Sequence, residues 1–531
     1  MTTSVTSTGP AETGLGVTER GTRPAQRTDA VIVGVSGARR NAAAAVASGG
    51  QLLGVCEQER LTRIRGFALH PGELPAEAVD AVLRMVSRHE QDVTAYVTGE
   101  DGVSLPAGLP RVRLGHHYSH AATAFLTSPF DKAAVLVCDQ SAGPEVSVWM
   151  GSGRDLVNRH WPWRGAGFAS LFTEAGQLFG FRVGEEHRLE ALARLDGTHD
   201  LDFSHLFRYV DHTLMVAPEW KRAVSETLRA DGNRWSVRQG ARVAGAVQRA
   251  LCDALLGVVA DIRGSLGVTR LCLGGGLFFN TFLNTRIADA SIFDEVFVPP
   301  NPGNAGVAAG AALAVDSTSG KRTPERVSAF LGPEYGLEEI KATLDNCKLS
   351  YECLSDGDVI ETCVKTLSAG RLVGWFQGRM EWGPRALGHR SILASPFSPY
   401  VLDNLNVYLK RRERYQAYGL SVCEEARAAH FDGPARSSWM EYEYRLHDLE
   451  RFRHVLPYET THLRVQTVDE TPSLFRELHQ AFAAASGAGV LVNTSFNGFS
   501  EPIVCSPRDA IRVFYGTGLD LLVVGRFVVR K

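Results

Sequence analysis

Several features common in other proteins are missing from this 531-residue chain. No stretch holds roughly 18 uninterrupted apolar residues, so the composition offers no membrane-spanning helix. The first 28 residues, rich in Thr, Ser, Gly and Glu, lack the apolar centre of a signal peptide and predict a disordered tail (1–28) on a cytoplasmic protein. The 9 cysteines are scattered singly and never form CxxC, which argues for reduced thiols and against a zinc knuckle. Basic charge is not in excess either. With a net charge of -3 and 22% charged residues, no global field points to nucleic acid or to a membrane surface, so any phosphate chemistry has to be local.

What is present alternates. Short β-branched runs (31–35, 51–57, 95–99, 133–139) are separated by helical patterns near 77–88 and from about 117, an α/β arrangement. A long amphipathic segment at about 236–265 leads into RLCLGGG (270–276), a helix carrying Asn280 and Asn284, the strand EVFVPP (295–300) and the small-residue helix GNAGVAAGAALAV (303–315). These repeated strand–glycine–helix units predict two related lobes facing a cleft. Ser317 to Gly336 reads as a linker, and a second α/β domain with its own C-terminal strand follows.

Three stretches carry chemistry. In GHHYSHAATAFLTSPF (115–130), His116 and His120 leave one helical face a turn apart, and Asp139 ends a buried-looking strand. Two imidazoles and a carboxylate suit Fe(II) or another borderline divalent ion, the alternative being a pair of helix-surface or capping histidines; His117 points elsewhere. In LCLGGGLFFN (271–280) the glycines let backbone amides approach an anion or a sugar, although no GK[ST] follows to make a phosphate loop. GWFQGRMEWGPRALGHRSILASP (374–396) sets Arg379, Arg385 and Arg390 beside apolar flanks; Lys410, Arg411, Arg412 and Arg414 follow, and VNTSFNGFSEPI (492–503) adds Thr494, Ser495 and Asn497. So many donors match a small, multiply charged phosphate, the alternative being a structural ion-pair network through Glu381 and Glu413. Phe203, Phe207, Trp220 and Trp235 are candidates for lining an acceptor pocket, or else ordinary core.

Together these motifs resemble the NodU-type and antibiotic-tailoring O-carbamoyltransferases, from about residue 30 to the end. The resemblance implies a Kae1-like, actin-like ATPase domain of two lobes (29–335) and an α/β YrdC-like domain (336–531). The latter would take carbamoyl phosphate and ATP with Mg2+ to carbamoyl adenylate, and the former would pass the carbamoyl group to the hydroxyl of a small-molecule acceptor. It further implies that Arg385 (GPRALG), Lys410 and Arg412 (KxRE), and Ser495 and Asn497 (NTSFN) hold carbamoyl phosphate and the nascent adenylate. His116, His120, Asp139 and Asn304 correspond to metal ligands, with Fe2+ the expected ion; Asp139 is also a catalytic candidate, since the acceptor hydroxyl would be activated by the metal, by Asp139 or by the adenylate phosphate. Gly275, Gly276 and Asn280 would meet adenosine, and Arg65, Arg188 and Arg379 would assist the nucleotide.

The chain departs from the family pattern mostly in its first half. Arg40 and Asn41 replace His-Asp, Arg65 replaces a lysine, EHRLEALA (186–193) replaces EYKxMGLA, and Asn304 stands where an aspartate is usual. Arg40 cannot act as a base at any ordinary pH. Other readings are a tRNA threonylcarbamoyl-modifying protein, disfavoured by the missing basic surface, and an impaired nucleotide-binding regulator. A homodimer is left open, and no membrane or nucleic acid partner is expected.

Overall fold

The computed structural model describes residues 30–141, 143–229, 234–316, 322 and 324–531. The expected tail and part of the expected linker, 317–321 and 323, lie outside the described residues.

Two five-stranded mixed sheets share one topology. In the first, Val31–Ser36 is central, with Ala43–Ser48 and Gln51–Glu57 added antiparallel on one side and Val93–Thr98 and Arg111–Arg113 parallel on the other. In the second, Lys132–Cys138 is central, with antiparallel Val146–Ser152 and Asp155–Asn158 on one side and parallel Arg270–Gly274 and Glu295–Phe297 on the other. The central strands are apolar almost throughout, as strands covered on both faces must be. Helices His116–Leu126 and Asn304–Val315 pack against each other between these sheets. Alanine and glycine in the second of them permit the close approach: a Cβ at Gly310 would stand 2.1 Å from the Ser119 carbonyl oxygen.

The helix Val237–Leu266, capped by Ser236 and ended by Gly267 at φ 63, runs through the core of the second lobe. It is long and apolar enough to cross a membrane, yet 72% of its most apolar window is buried within the fold. Phe203, Phe207 and Trp220 pack into the same core, and Trp235 meets Phe179 and Phe181 edge-on. None of the four lines the cavity described below, so the acceptor-pocket expectation for them gives way to ordinary core packing.

The C-terminal domain is built on a ten-stranded mixed sheet in which Val373–Phe376, Arg390–Ala394, Val490–Ser495 and Gly419–Cys423 are consecutive neighbours. It ends in a hairpin, Leu521–Val524 with Phe527–Arg530, rather than in a single strand. The described part of the linker straps the two domains together: Leu331 accepts from Val55 N at 2.9 Å, and Trp382 N donates to Ala329 at 2.8 Å. Arg379 belongs to this strap, its guanidinium donating to the carbonyls of Leu53 and Leu331. Arg390 is likewise structural, fully buried over the Phe376 ring at 3.5 Å and donating to the carbonyls of Gln377, Gly378 and Pro333. Backbone oxygens therefore take the place of the anion expected for these two arginines, although Arg390 Nε is left without a hydrogen-bond partner.

Candidate active site between the domains

A cavity of about 450 Å³ opens where the two domains meet, lined by Arg40, Asn41, Arg65, Asp139, Gly276, Asn280 and Asn304 from one side and by Arg385, Arg412, Arg464, Thr494 and Ser495 from the other. Side chains remote in sequence thus share one enclosure.

Asp139 lines the N-terminal wall, and His116 and His120 stand behind it, outside the lining: His116 Nε2 lies 3.1 Å from His120 Nε2 and 3.2 Å from Asp139 Oδ1, and His120 Nε2 is 3.7 Å from Asp139 Oδ2. All three residues can direct a ligand atom to within 4.8 Å of the others. The surroundings fix their roles. His120 Nδ1 donates to the Pro302 carbonyl at 3.0 Å, leaving Nε2 with its lone pair, and His116 Nδ1 faces Glu100 at 3.9 Å. This is the outer support that ligating imidazoles use. Burial pushes His120 down to about 3 despite the Asp139 charge, so it is neutral, as a ligand must be. For Asp139, burial favours the neutral acid, but the His116 contact and the nearby imidazoles outweigh it and hold the carboxyl well below its ordinary range. The donor set therefore fits a borderline divalent cation. His117 turns away to Ser147 Oγ at 2.8 Å.

The glycine turn serves this cluster. Gly276 N donates to Asp139 Oδ2 at 3.2 Å. Gly275 has φ +99, and a Cβ there would stand 2.2 Å from the Cys138 carbonyl oxygen. Gly275 is thus required by the backbone crossing and does not reach the cavity lining. Asn280 caps helix Thr281–Asp289 by accepting from Leu283 N and lines the cavity, as does Asn304 at the start of Asn304–Val315.

On the opposite wall, Arg412 lies over the Tyr418 ring at 4.1 Å and donates to its hydroxyl at 3.2 Å. Arg385 reaches the Phe279 carbonyl of the other domain at 3.3 Å. Ser495 Oγ donates to Asn497 Oδ1 at 2.9 Å. Lys410 and Asn497 stand behind this wall: Lys410 Nζ donates to the Asn497 carbonyl at 3.0 Å and to its side-chain oxygen, and burial pushes the ammonium well below its ordinary range. They hold the Ser495 loop in place. Arg188 is also outside the lining, paired with Glu185 at 3.0 Å and with Glu413 across the domain boundary. Among the described residues Glu381 forms no ion pair with an arginine; its carboxylate accepts from the backbone amides of Leu387, His389 and Arg390.

Sequence reasoning missed Arg464, His187 and Glu190, all in the lining. Glu190 accepts from Thr281 N at 3.1 Å and from Arg194 at 2.9 Å, while Arg464 sits 3.9 Å from it. Burial would raise the Glu190 carboxyl, but Arg194, Arg464 and Arg385 bring it down to about 2. Arg194 also bonds Glu443 of the C-terminal domain at 2.9 Å. The overlooked signal was a lone arginine inside the apolar alternation of His462–Val468. Arg385, Arg412 and Arg464 all line this wall; among the described residues Arg385 and Arg412 have no carboxylate at ion-pair distance and Arg464 has only Glu190, at 3.9 Å, so the wall can accept an anion.

The chain matches the family model described as carbamoyltransferase N-terminus over residues 109–313, and the one described as carbamoyltransferase C-terminus over 364–531. It is 31% identical over 438 residues to nodulation protein NolO of Bradyrhizobium diazoefficiens, covering 79% of each chain. It is 32% identical over 259 residues to the 3'-hydroxymethylcephem-O-carbamoyltransferase of Amycolatopsis lactamdurans, covering 48% of each. A solved structure of full-length HypF in its phosphate- and nucleotide-bound form overlays with a TM-score of 0.41 at 12% identity, covering 55% of this chain and 57% of that one.

Proposed function

The chain belongs to the carbamoyltransferase family and is an enzyme that transfers carbamoyl groups, and from that premise we propose an ATP-dependent O-carbamoyltransferase working through carbamoyl adenylate. In this reading residues 29–335 form a Kae1-like domain of the actin-like ATPase class and 336–531 a YrdC-like domain. The duplicated sheet topology supports the first assignment. The acceptor would be a small secondary metabolite carrying a hydroxyl, in keeping with the alcohol named for the cephem relative. The enzyme would act in the cytoplasm, where its free thiols stay reduced.

The observation that carries the reading is the single cavity lined by both the Asp139 wall and the Ser495 wall. Carbamoyl phosphate and water would give carbamate and phosphate at the C-terminal wall. A carbamate oxygen would then attack the α-phosphorus of ATP, delivered with Mg2+, expelling pyrophosphate and leaving carbamoyl adenylate. Arg385, Arg412 and Arg464 supply the fixed positive charge that these phosphates need, and Ser495 adds a hydroxyl. The acceptor oxygen would attack the carbamoyl carbon, the carbon–oxygen bond to AMP would break, and the hydroxyl proton would pass to solvent. His116, His120 and Asp139, with Asn304 beside them, would hold a divalent ion such as Fe2+, whose charge would balance the adenylate phosphate. Because both walls line one cavity, the hydrolytically fragile adenylate would not have to cross bulk solvent between activation and transfer.

Purified full-length chain given ATP and carbamoyl phosphate is expected to release pyrophosphate only when both are present, and to add one carbamoyl mass to a hydroxylated acceptor. Pyrophosphate release indifferent to carbamoyl phosphate would overturn the reading.

A further inference from the structure

The N-terminal wall carries positive charge that carbamoyl activation leaves unmatched. Arg40, on the loop after the first strand, reaches across to the segment preceding helix Glu186–Ala193, where its Nη2 and Nη1 lie 2.2 and 2.9 Å from the place a Gly184 Cβ would occupy. Gly184 has φ +91, so the guanidinium rests in a notch that exists because residue 184 has no side chain. Arg65 lines the same cavity, and the Asn41 side-chain oxygen lies 3.8 Å from the Cβ position of Gly66, joining the two loops.

Among the described residues neither Arg40 nor Arg65 has an ion pair or a hydrogen bond through its side chain. The acids of that wall are engaged elsewhere. Glu59 accepts from Gly66 N at 2.6 Å and pairs with Arg60 at 3.1 Å; Glu186 accepts from Gly184 N and Thr173, both at 2.9 Å. Asp139 belongs to the histidine cluster and Glu190 to Arg194. The phosphates of the activation step have their own arginines on the opposite wall. Two guanidinium groups, one of them seated in a notch, therefore line the cavity with no carboxylate at ion-pair distance among the described residues, Glu186 being bonded by the neutral donors Gly184 N and Thr173.

We propose that Arg40, assisted by Arg65, binds a carboxylate carried by the acceptor, so that the acceptor is a hydroxy acid rather than a neutral or cationic alcohol. The proposal rests on the carbamoyl-transfer reading above. A guanidinium fork matches a carboxylate in two parallel hydrogen bonds and would orient the hydroxyl at a fixed distance from the anion. The same charges disfavour a polycationic acceptor. The other anion that could occupy the notch is the phosphate of the adenylate, and the test separates the two.

Calorimetric binding at saturating AMP, which fills the adenylate phosphate position, is measured for hydroxy acids from glycolate to 4-(hydroxymethyl)benzoate, each beside its methyl ester. At least one acid is expected to bind about tenfold more tightly than its ester. That discrimination should vanish in Arg40→Met, survive in part in Arg40→Lys, and weaken in Gly184→Ala, where the added methyl displaces the guanidinium. Equal binding of acid and ester throughout, or failure of every acid to bind, overturns the proposal. So does a loss of AMP affinity in Arg40→Met that matches its loss of acid affinity, since the notch then serves the adenylate. Failure of the carbamoyl reading shows itself separately, as wild-type enzyme lacking carbamoyl-phosphate-dependent pyrophosphate release while acid binding remains measurable.

Discussion

The two walls of the cavity are built on different principles. The C-terminal wall carries cations, Arg412 against Tyr418, Arg385 on a backbone carbonyl and Arg464 near Glu190, beside the Ser495 loop that Lys410 and Asn497 support from behind. The N-terminal wall carries Asp139, with the imidazoles of His116 and His120 converging on it from behind and Pro302 and Gly276 bonding His120 and Asp139. The first presents cations to an anion, and the second carries a cluster suited to a cation, with Arg40 and Arg65 lining the cavity nearby. The contrast separates the main phosphate-facing arginines from the metal-ligating cluster, since phosphates and a metal ion make opposite demands on the charge of a site.

The sharpest way to break this comparison is to remove a cation from the anion wall. Arg385→Ala is expected to lower carbamoyl-phosphate-dependent pyrophosphate release roughly 100- to 1000-fold, as loss of a fixed donor to developing charge does elsewhere. The matching change on the other wall, His116→Ala, should stop transfer to acceptor while pyrophosphate release falls much less. Equal loss of pyrophosphate release in both variants would mean that the walls do not divide the work. A smaller effect belongs behind the wall. Lys410→Met removes the donor to Asn497 and should lower activation about 10- to 100-fold through displacement of Ser495, raising the KM for carbamoyl phosphate more than it lowers kcat. An unchanged KM with a collapsed kcat would instead put Lys410 in contact with the reacting atoms.

The mildest effect concerns how the walls are joined. Glu190 ties Thr281 and Arg194 to the C-terminal Glu443 and is brought down to about 2 from an ordinary 4.5. A depressed carboxyl contributes stability that is complete above its unfolded value and is lost as pH falls toward the folded one. Glu190→Gln should therefore flatten the fall of the melting temperature between pH 5 and about 3 relative to wild type. An identical acid limb in both proteins would show that the network contributes no such linkage.

Much of this was legible in the chain. Apolar runs fixed the central strands because a doubly covered strand tolerates little else, and His116, His120 and Asp139 could be singled out because helical spacing and a strand end are local properties. The arginines were harder, because a buried guanidinium looks the same in sequence whether it faces a ligand or a row of carbonyls. Arg379 and Arg390 went to the carbonyls; Arg385 and Arg412 reached the cavity. Arg464 and Glu190 escaped notice because their meaning comes from partners on other elements, Glu190 and Arg464 for each other and Glu443 for Arg194.

By itself, then, the sequence determined the α/β alternation, the family motifs and the histidine–aspartate set, all of which depend on residues near one another along the chain. Only the tertiary structure decided that Asp139 and Ser495, more than three hundred positions apart, line one cavity, and that Arg40 rests over Gly184 with no ion pair among the described residues. Which charges are answered and which are left open is set by how the domains are strapped together, and no local pattern encodes that distance.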